Sequence, residues 1–212
     1  MTKQRRVLLY HFTHVDNLPS IANDGLRSDS DVEDSDLPEV DVGNQDVKAR
    51  RRHIEVPVGP GGVVADYVPF YFAPRSPMLY VIHKGEVPTY EGGQEDLIYL
   101  VIDKDEVIDR HLGFVLTDRN AASALARFSN RIDDLEGFVD WPLMRARMWN
   151  DTHEDPDRMS RRMAEFLVHG RVPWDAFVGL AARTDEDAEK ATARLGSLAS
   201  EARIVVRPGW YF

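Results

Sequence analysis

The chain has 212 residues, no cysteine and a formal net charge of −10 at pH 7, which suits one sizeable domain that buries its own core and excludes disulfides, thiolate metal sites and a cysteine nucleophile. No apolar run approaches the ~18 residues of a membrane span, and MTKQRRVLLYHF enters a strand-like pattern with no cleavage site, so a cytoplasmic protein with no membrane partner is expected. The charge speaks against a nucleic-acid partner only on average. Residues 29–46 hold eight acids and no Lys or Arg, which leaves −2 for everything else, and KARRRH (48–53) follows at once; such segregation can build a basic groove on an acidic protein.

In chain order, VLLYHF (7–12) has the β-branched and aromatic make-up of a strand. A helix should follow, capped by Asp16 or Asn17, with Pro19 in its first turn and Gly25 at its end. The acidic stretch to Asp46 reads as a long polar loop, of the kind that is functional or disordered in a compact domain, and a basic helix is expected over 44–53. VPVGPGGVV (56–64) is a turn-rich connector. YVPFYF (67–72) can be a strand only at a sheet edge, because Pro69 donates no hydrogen bond.

Ser76 and Pro77 make a helix start for MLYVIHK (78–84), which Gly85 ends. LIYLVI (97–102) is the best buried strand and GFVLT (113–117) a second; helices are expected at 120–129 and 141–150. EFLV, AFVGLAA and RIVVR supply late strands, with a helix at 185–198 before the last. Irregular alternation with long loops predicts an α+β fold, a central β core flanked by helices, in a single domain over 1–212.

Candidate chemistry is sparse. Glu165 stands in RRMAEFLVHG where a charged segment turns apolar, so a strand would hold the carboxylate while its head meets a cleft; a salt bridge to Arg161 or Arg162 is the plainer alternative. His11 and Thr13 in YHFTH share a strand face and could present an imidazole and a hydroxyl to one ligand. His11 with His14 lacks a third ligand, so no metal is expected. There is no GxGxxG after a strand, no phosphate-binding loop (GPGG at 59–62 lacks the following Lys and Ser/Thr) and no GxSxG. DYVPFYFAPRSPMLY (66–80) combines aromatic rings with a lone Arg75, the ingredients of a single-strand platform, although strand alternation should bury about half of those rings.

Several of these stretches together resemble one family. YHFTHVDNLPSIANDGL, KARRRH, VPFYFAPRSPMLYVIHKG, YEGGQEDLIYLV, LTDRNAAS and RRMAEFLVHGRVPW are similar over nearly the whole chain to DarT, the DNA ADP-ribosyltransferase toxins of bacterial toxin–antitoxin operons. The resemblance implies an ADP-ribosyltransferase fold that consumes NAD, releases nicotinamide and attaches ADP-ribose to thymine in single-stranded DNA. A macrodomain antitoxin is implied as partner. It further implies Glu165 and Arg51 as catalytic residues. His11, Phe12, Thr13, Ser20, Leu26, Arg27, Arg51 and Tyr71 would contact NAD, and Arg75, Ser76, Met78, Arg119, Asn120, Arg147 and Arg158 would contact DNA. Residues 31–53 correspond to the element that closes over NAD, and the loop from about Thr117 to Glu165 to the one that recognises substrate. Asn120 stands where some members have histidine. Action on RNA or protein, and a silent single-strand binder, are the competing readings; a pure binder needs neither Glu165 nor Arg51.

Overall fold

A computed structural model describes residues 6–33 and 40–212; the acidic residues at 34–39 lie outside it, as do residues 1–5. The first strand, β1 (Leu8–His14), leads through a short 3-10 turn into α1 (Leu18–Asp24), with Pro19 in its first turn. Gly25 ends it at φ +81°, where a Cβ would stand 2.7 Å from the Val172 carbonyl oxygen, so only glycine lets the chain turn there into β2 (Leu26–Arg27). The expected long loop then begins with a helix, α2 (Asp29–Glu33). Acids in its first turn favour the helix N-terminus. The basic helix is α3 (Gln45–Arg51), capped by the Asn44 side chain, which accepts from the amides of Asp46 and Val47.

Next come β3 (Tyr67–Tyr71) and α4 (Pro77–His83), the latter capped by Ser76, whose hydroxyl accepts from Leu79 N at 3.2 Å. β4 (Leu97–Asp103) is buried along all seven residues. Ile98, Leu100 and Ile102 enter one hydrophobic cluster, Leu97, Tyr99 and Val101 another, the period-2 signature of a strand covered on both faces. The chain continues through α5 (Lys104–Asp109), β5 (Phe114–Thr117), β6 (Phe128–Ser129), α6 (Leu135–Phe138), α7 (Trp141–Arg145) and α8 (Arg158–Arg162). It ends with β7 (Glu165–His169), β8 (Arg171–Val172), β9 (Phe177–Ala182), α9 (Asp185–Leu195) and β10 (Ile204–Val206).

One eight-stranded sheet runs in the order β10-β9-β4-β1-β3-β7-β5-β6, and β2 pairs with β8 in a small second sheet. Only β10 and β9 are parallel within the large sheet, joined by α9. α1 and α9 cover one face and α4 the other.

Three local expectations are corrected. β3 is an interior strand, not an edge. It pairs with β7 over five residues but with β1 only through Tyr10 and Tyr71. The Pro69 carbonyl faces β1, where the His11 imidazole meets it at 2.8 Å, and in a strand the N–H and C=O of one residue share an edge; the missing donor therefore falls where the sheet has opened. Residues 120–127 form turns instead of a helix: Asn120 Oδ1 and Glu165 take the Ala122 and Ala121 amides, which a first helical turn leaves free, but the Arg127 amide, which a helix would give to the Ser123 carbonyl, goes to Asp118 at 2.9 Å. The helix expected over 141–150 stops at Arg145. The buried Arg162 guanidinium donates to the carbonyls of Leu143 at 2.7 Å and Met144 at 2.8 Å, which a longer helix would need for its next amides.

Candidate active site

The parting of β1 from β3 opens a cleft of about 520 Å³, within the usual range for small-molecule sites. His11, Phe12 and Thr13 form one wall, Pro69 and Tyr71 another, and Leu26 and Arg27 lie further along. Because a carbonyl can only accept, His11 Nδ1 carries the proton it shares with Pro69 O, which leaves Nε2 as an acceptor. Burial pushes the imidazole below its usual pKa, so the neutral form is favoured. Thr13 Oγ1 accepts from Asn17 Nδ2 at 3.0 Å.

Asn17 does not cap α1 with its side chain. Its carboxamide grips the main chain of Val40 from both sides, accepting from the amide at 2.8 Å and donating to the carbonyl at 3.0 Å. This latch fixes the strap that crosses the cleft ahead of α3. Lys48 tightens it, reaching Asp29 at 2.8 Å and Asp41 at 2.9 Å. Burial opposes charge on both Lys48 and Asp41, yet Asp29 and then Asp41 raise the pKa of the amine, and Lys48 lowers that of the Asp41 carboxyl.

At the cleft floor Arg51, the last residue of α3, meets Glu165, the first of β7, with Nη1 to Oε1 at 2.9 Å. Both are nearly sealed, Arg51 at 5% and Glu165 at 1% exposure. Glu165 Oε2 accepts the Ala121 amide at 2.8 Å, and the residue's own amide donates to Thr117 Oγ1 at 3.1 Å. Carboxylate position is thus set by three elements. Burial disfavours the guanidinium charge, but Glu165, with Asp29 behind it, more than offsets this and lifts the pKa above its ordinary value. Arg51 Nη2 has no partner among the described residues although it is buried, so a donor is kept for an incoming acceptor. Tyr71 lies opposite Glu165 in the sheet register. Burial first, then the carboxylate, push its phenol up, so it serves as a neutral wall. The salt bridge from Glu165 is to Arg51, not to Arg161 or Arg162. Among the described residues no cluster of three or more acids and histidines is arranged to hold a metal.

Of the residues expected at DNA, Met78 and Asn120 line this same cleft. Ser76 is buried as the cap of α4. Arg119 pairs with Asp118 and Asp157, Arg158 donates to the carbonyls of Met148 and Asn150, and Arg147 is exposed. Arg75 sits outside the cleft wall at φ +56° with its guanidinium 4.3 Å above the Phe212 ring; a left-handed non-glycine residue is a point of strain that its surroundings must hold. Ser20 is turned to the Asn17 carbonyl at 3.0 Å. Tyr67, Phe70 and Phe72 are core. The sequence reading missed Asn17 and Thr117 as parts of the site, whereas Asp41 and Lys48 fall within the stretch expected to close over the cleft. The signal for the Lys48 pairs was the run of acids at 29–46 followed at once by KARRRH.

The profile of the family described as "ssDNA thymidine ADP-ribosyltransferase, DarT" matches residues 10–212. A DNA ADP-ribosyl transferase of Mycobacterium tuberculosis is 38% identical over 209 residues, covering 97% of this chain and 89% of that protein. The solved structure of Thermus sp. 2.9 DarT in complex with ADP-ribosylated ssDNA superposes with a TM-score of 0.87 at 35% identity, over 97% of this chain and 96% of that one; its complex with NAD+ gives 0.82. A DNA ADP-ribosyl transferase–DNA ADP-ribosyl glycohydrolase fusion protein of Thermosipho africanus is 25% identical over 116 residues, 55% of this chain and 28% of that protein. With a split sheet, a buried Arg–Glu pair at the split and this likeness over almost its full length, the chain belongs to the DarT family of ssDNA thymidine ADP-ribosyltransferases.

Proposed function

We propose that this chain consumes NAD+ and transfers its ADP-ribose to a thymine base of single-stranded DNA, releasing nicotinamide. The observation that carries the reading is the buried Arg51–Glu165 pair on the floor of the split sheet, with one guanidinium donor still unpartnered. The bond from nicotinamide to ribose C1′ breaks, and positive charge grows on the sugar. Glu165, held by Arg51 and the Ala121 amide, is a preorganised negative group for that charge. Thymine N3 forms the new bond to C1′, the electrons of the broken bond leave with nicotinamide, and the N3 proton is released to solvent. Arg51 does not take that proton, since its guanidinium is held charged; its spare donor binds an NAD phosphate oxygen or the base as it becomes an anion.

His11, Phe12, Thr13, Leu26, Arg27 and Tyr71 are the NAD walls and Met78 and Asn120 the thymine side. Arg75 holds DNA phosphate at the mouth. A flipped or unpaired base is required to reach the cleft floor, which favours single strands. The modification damages DNA as a toxin would, and the partner proposed is a macrodomain antitoxin that removes the ADP-ribose. The fusion of transferase and glycohydrolase in the Thermosipho relative supports that pairing. Among the described residues no helix is long and apolar enough to cross a membrane, which supports the proposed cytoplasmic location.

Labelled NAD+ supplied with single-stranded DNA, RNA and protein tests the assignment. Label on thymidine-containing oligonucleotides alone is the expected result. Label on RNA or protein in preference would move the enzyme to another substrate class, and no label on any would leave only a binder.

A further inference from the structure

A second aromatic surface lies beside the cleft mouth, on the next face of α4. Pro77, Met78 and Val81 line the cleft, whereas Tyr80 is 40% exposed and His83 is exposed. Both rings meet Phe212, Tyr80 edge-on at 5.1 Å and His83 nearly parallel at 5.8 Å and 26°. Trp149 supports Tyr80 from behind at 6.2 Å. The Gln94 carboxamide fixes Phe212 by gripping its main chain from both sides, its Oε1 accepting the amide at 3.0 Å. The Arg75 guanidinium carbon stands 4.3 Å over the Phe212 ring, and Arg75 has no carboxylate partner among the described residues, unlike Arg119, Arg127 and Arg161.

We infer that this shelf stacks a nucleobase next to the modified thymidine, while Arg75 grips the phosphate between the two. The inference rests on the transferase reading above. Rings that served only the core would be covered. Here Tyr80 and His83 stay exposed beside the half-buried Phe212, contiguous through α4 with the wall proposed to receive the thymine. Aromatic rings with a guanidinium beside them are what a single strand needs for stacking that tolerates any base. The cation supplies the sequence-independent phosphate contact.

The test walks an abasic site along an oligonucleotide with one thymidine, to either side of it, and follows KM for DNA in transfer from NAD+. Removal of the stacked base should raise KM about tenfold in the unaltered enzyme, at the lower end of the effect of one base on an aromatic platform, at one flanking position only. In Tyr80→Ala and Phe212→Ala that penalty should shrink to about twofold or less, because the variants have already lost the partner of the missing base. An undiminished penalty in both variants, or none at any position in the unaltered enzyme, overturns the shelf. A rise in melting temperature with NAD+ verifies that each variant is folded. Should a variant not fold, photocrosslinking of 5-iododeoxyuridine at the flanking position in the unaltered protein decides instead: adducts on Tyr80, His83 or Phe212 support the shelf, and adducts elsewhere overturn it. Transfer to the intact oligonucleotide without coupling defeats the shelf alone, whereas no transfer to any DNA defeats the transferase reading itself.

Discussion

Arg51 and Glu165 stand 114 residues apart in the chain and 2.9 Å apart in space, and the carboxylate uses its other oxygen to hold the Ala121 amide. The pair therefore joins α3, β7 and the turn after β5. Replacing Glu165 by Ala leaves a buried guanidinium uncompensated, which costs roughly 3–5 kcal/mol when one partner of such a pair is removed. Glu165→Gln keeps the shape and loses the charge. Transfer should fall by orders of magnitude in both variants, with only the Ala variant losing much stability, and NAD+ affinity should fall little in the Gln variant because the charge opposed by the carboxylate exists only in the transition state. Calorimetric binding and denaturant melts separate these effects. Near-normal turnover of Glu165→Gln would remove Glu165 from the chemistry.

Arg51→Lys should recover little of the activity lost in Arg51→Ala. A lysine can reach Glu165, but it has no second planar donor to offer where Nη2 now stands unpartnered. Single-turnover transfer is the measurement, and full rescue by Lys would show that a point charge suffices.

How far the sequence shows this site depends on whether its parts are local. The strands around Glu165 and His11 and the basic helix of Arg51 follow from runs of apolar residues, from Asn44 as a cap and from the position of Gly25, all signals within one turn or strand. Pro69 misleads because its rule concerns pairing, and the sheet is unpaired on that side by design of the cleft. The helices expected at 120–129 and 141–150 both fail where a side chain takes a main-chain group that a longer helix would use, Asp118 the Arg127 amide and Arg162, 18–19 residues on, the Leu143 and Met144 carbonyls. The Asn17–Val40 latch likewise looks like an ordinary cap until residue 40 is placed beside it. Family resemblance bridged part of that gap by naming Arg51 with Glu165, which no spacing rule links.

Stability should decline as pH falls below about 6.5, the ordinary histidine value. His11 is buried and held neutral, with its folded pKa depressed. Between the folded and unfolded values the unfolded chain binds more protons, so stability rises with pH through that window and is lost as pH drops. The lowered carboxyls of Asp41 and Asp118 add a further loss only below about pH 4. Melting temperature against pH checks this. His11→Gln should flatten the slope below about pH 6.5, and an unchanged slope would assign it to other groups.

Arg75→Ala should weaken oligonucleotide binding and reduce the slope of log K against log salt by about one, the loss of one phosphate contact. NAD+ affinity should hold, because Arg75 is not part of the cleft wall. Fluorescence anisotropy across a salt series reads both. An unaltered slope would place the phosphate contact elsewhere.

The acidic strap is the last element with a measurable consequence. Lys48 is held between Asp29 and Asp41, and Arg52 by Glu33, so these acids occupy cations that DNA or NAD phosphates could otherwise meet. Arg50 donates to the Asp46 carbonyl instead. Partly exposed pairs are worth about 0–1 kcal/mol each, so the strap competes weakly and through several contacts together. The triple variant Asp29→Asn, Glu33→Gln, Asp41→Asn should therefore bind single-stranded DNA several-fold tighter without NAD+ at low ionic strength. The gain should shrink near 0.15 M salt, where the Debye length is about 8 Å. With NAD+ bound the gain should also shrink, since NAD phosphates would claim Lys48 first. If low-salt binding of the NAD-free variant equals that of the unaltered protein, the strap acids are a solvated insert with no part in admitting DNA.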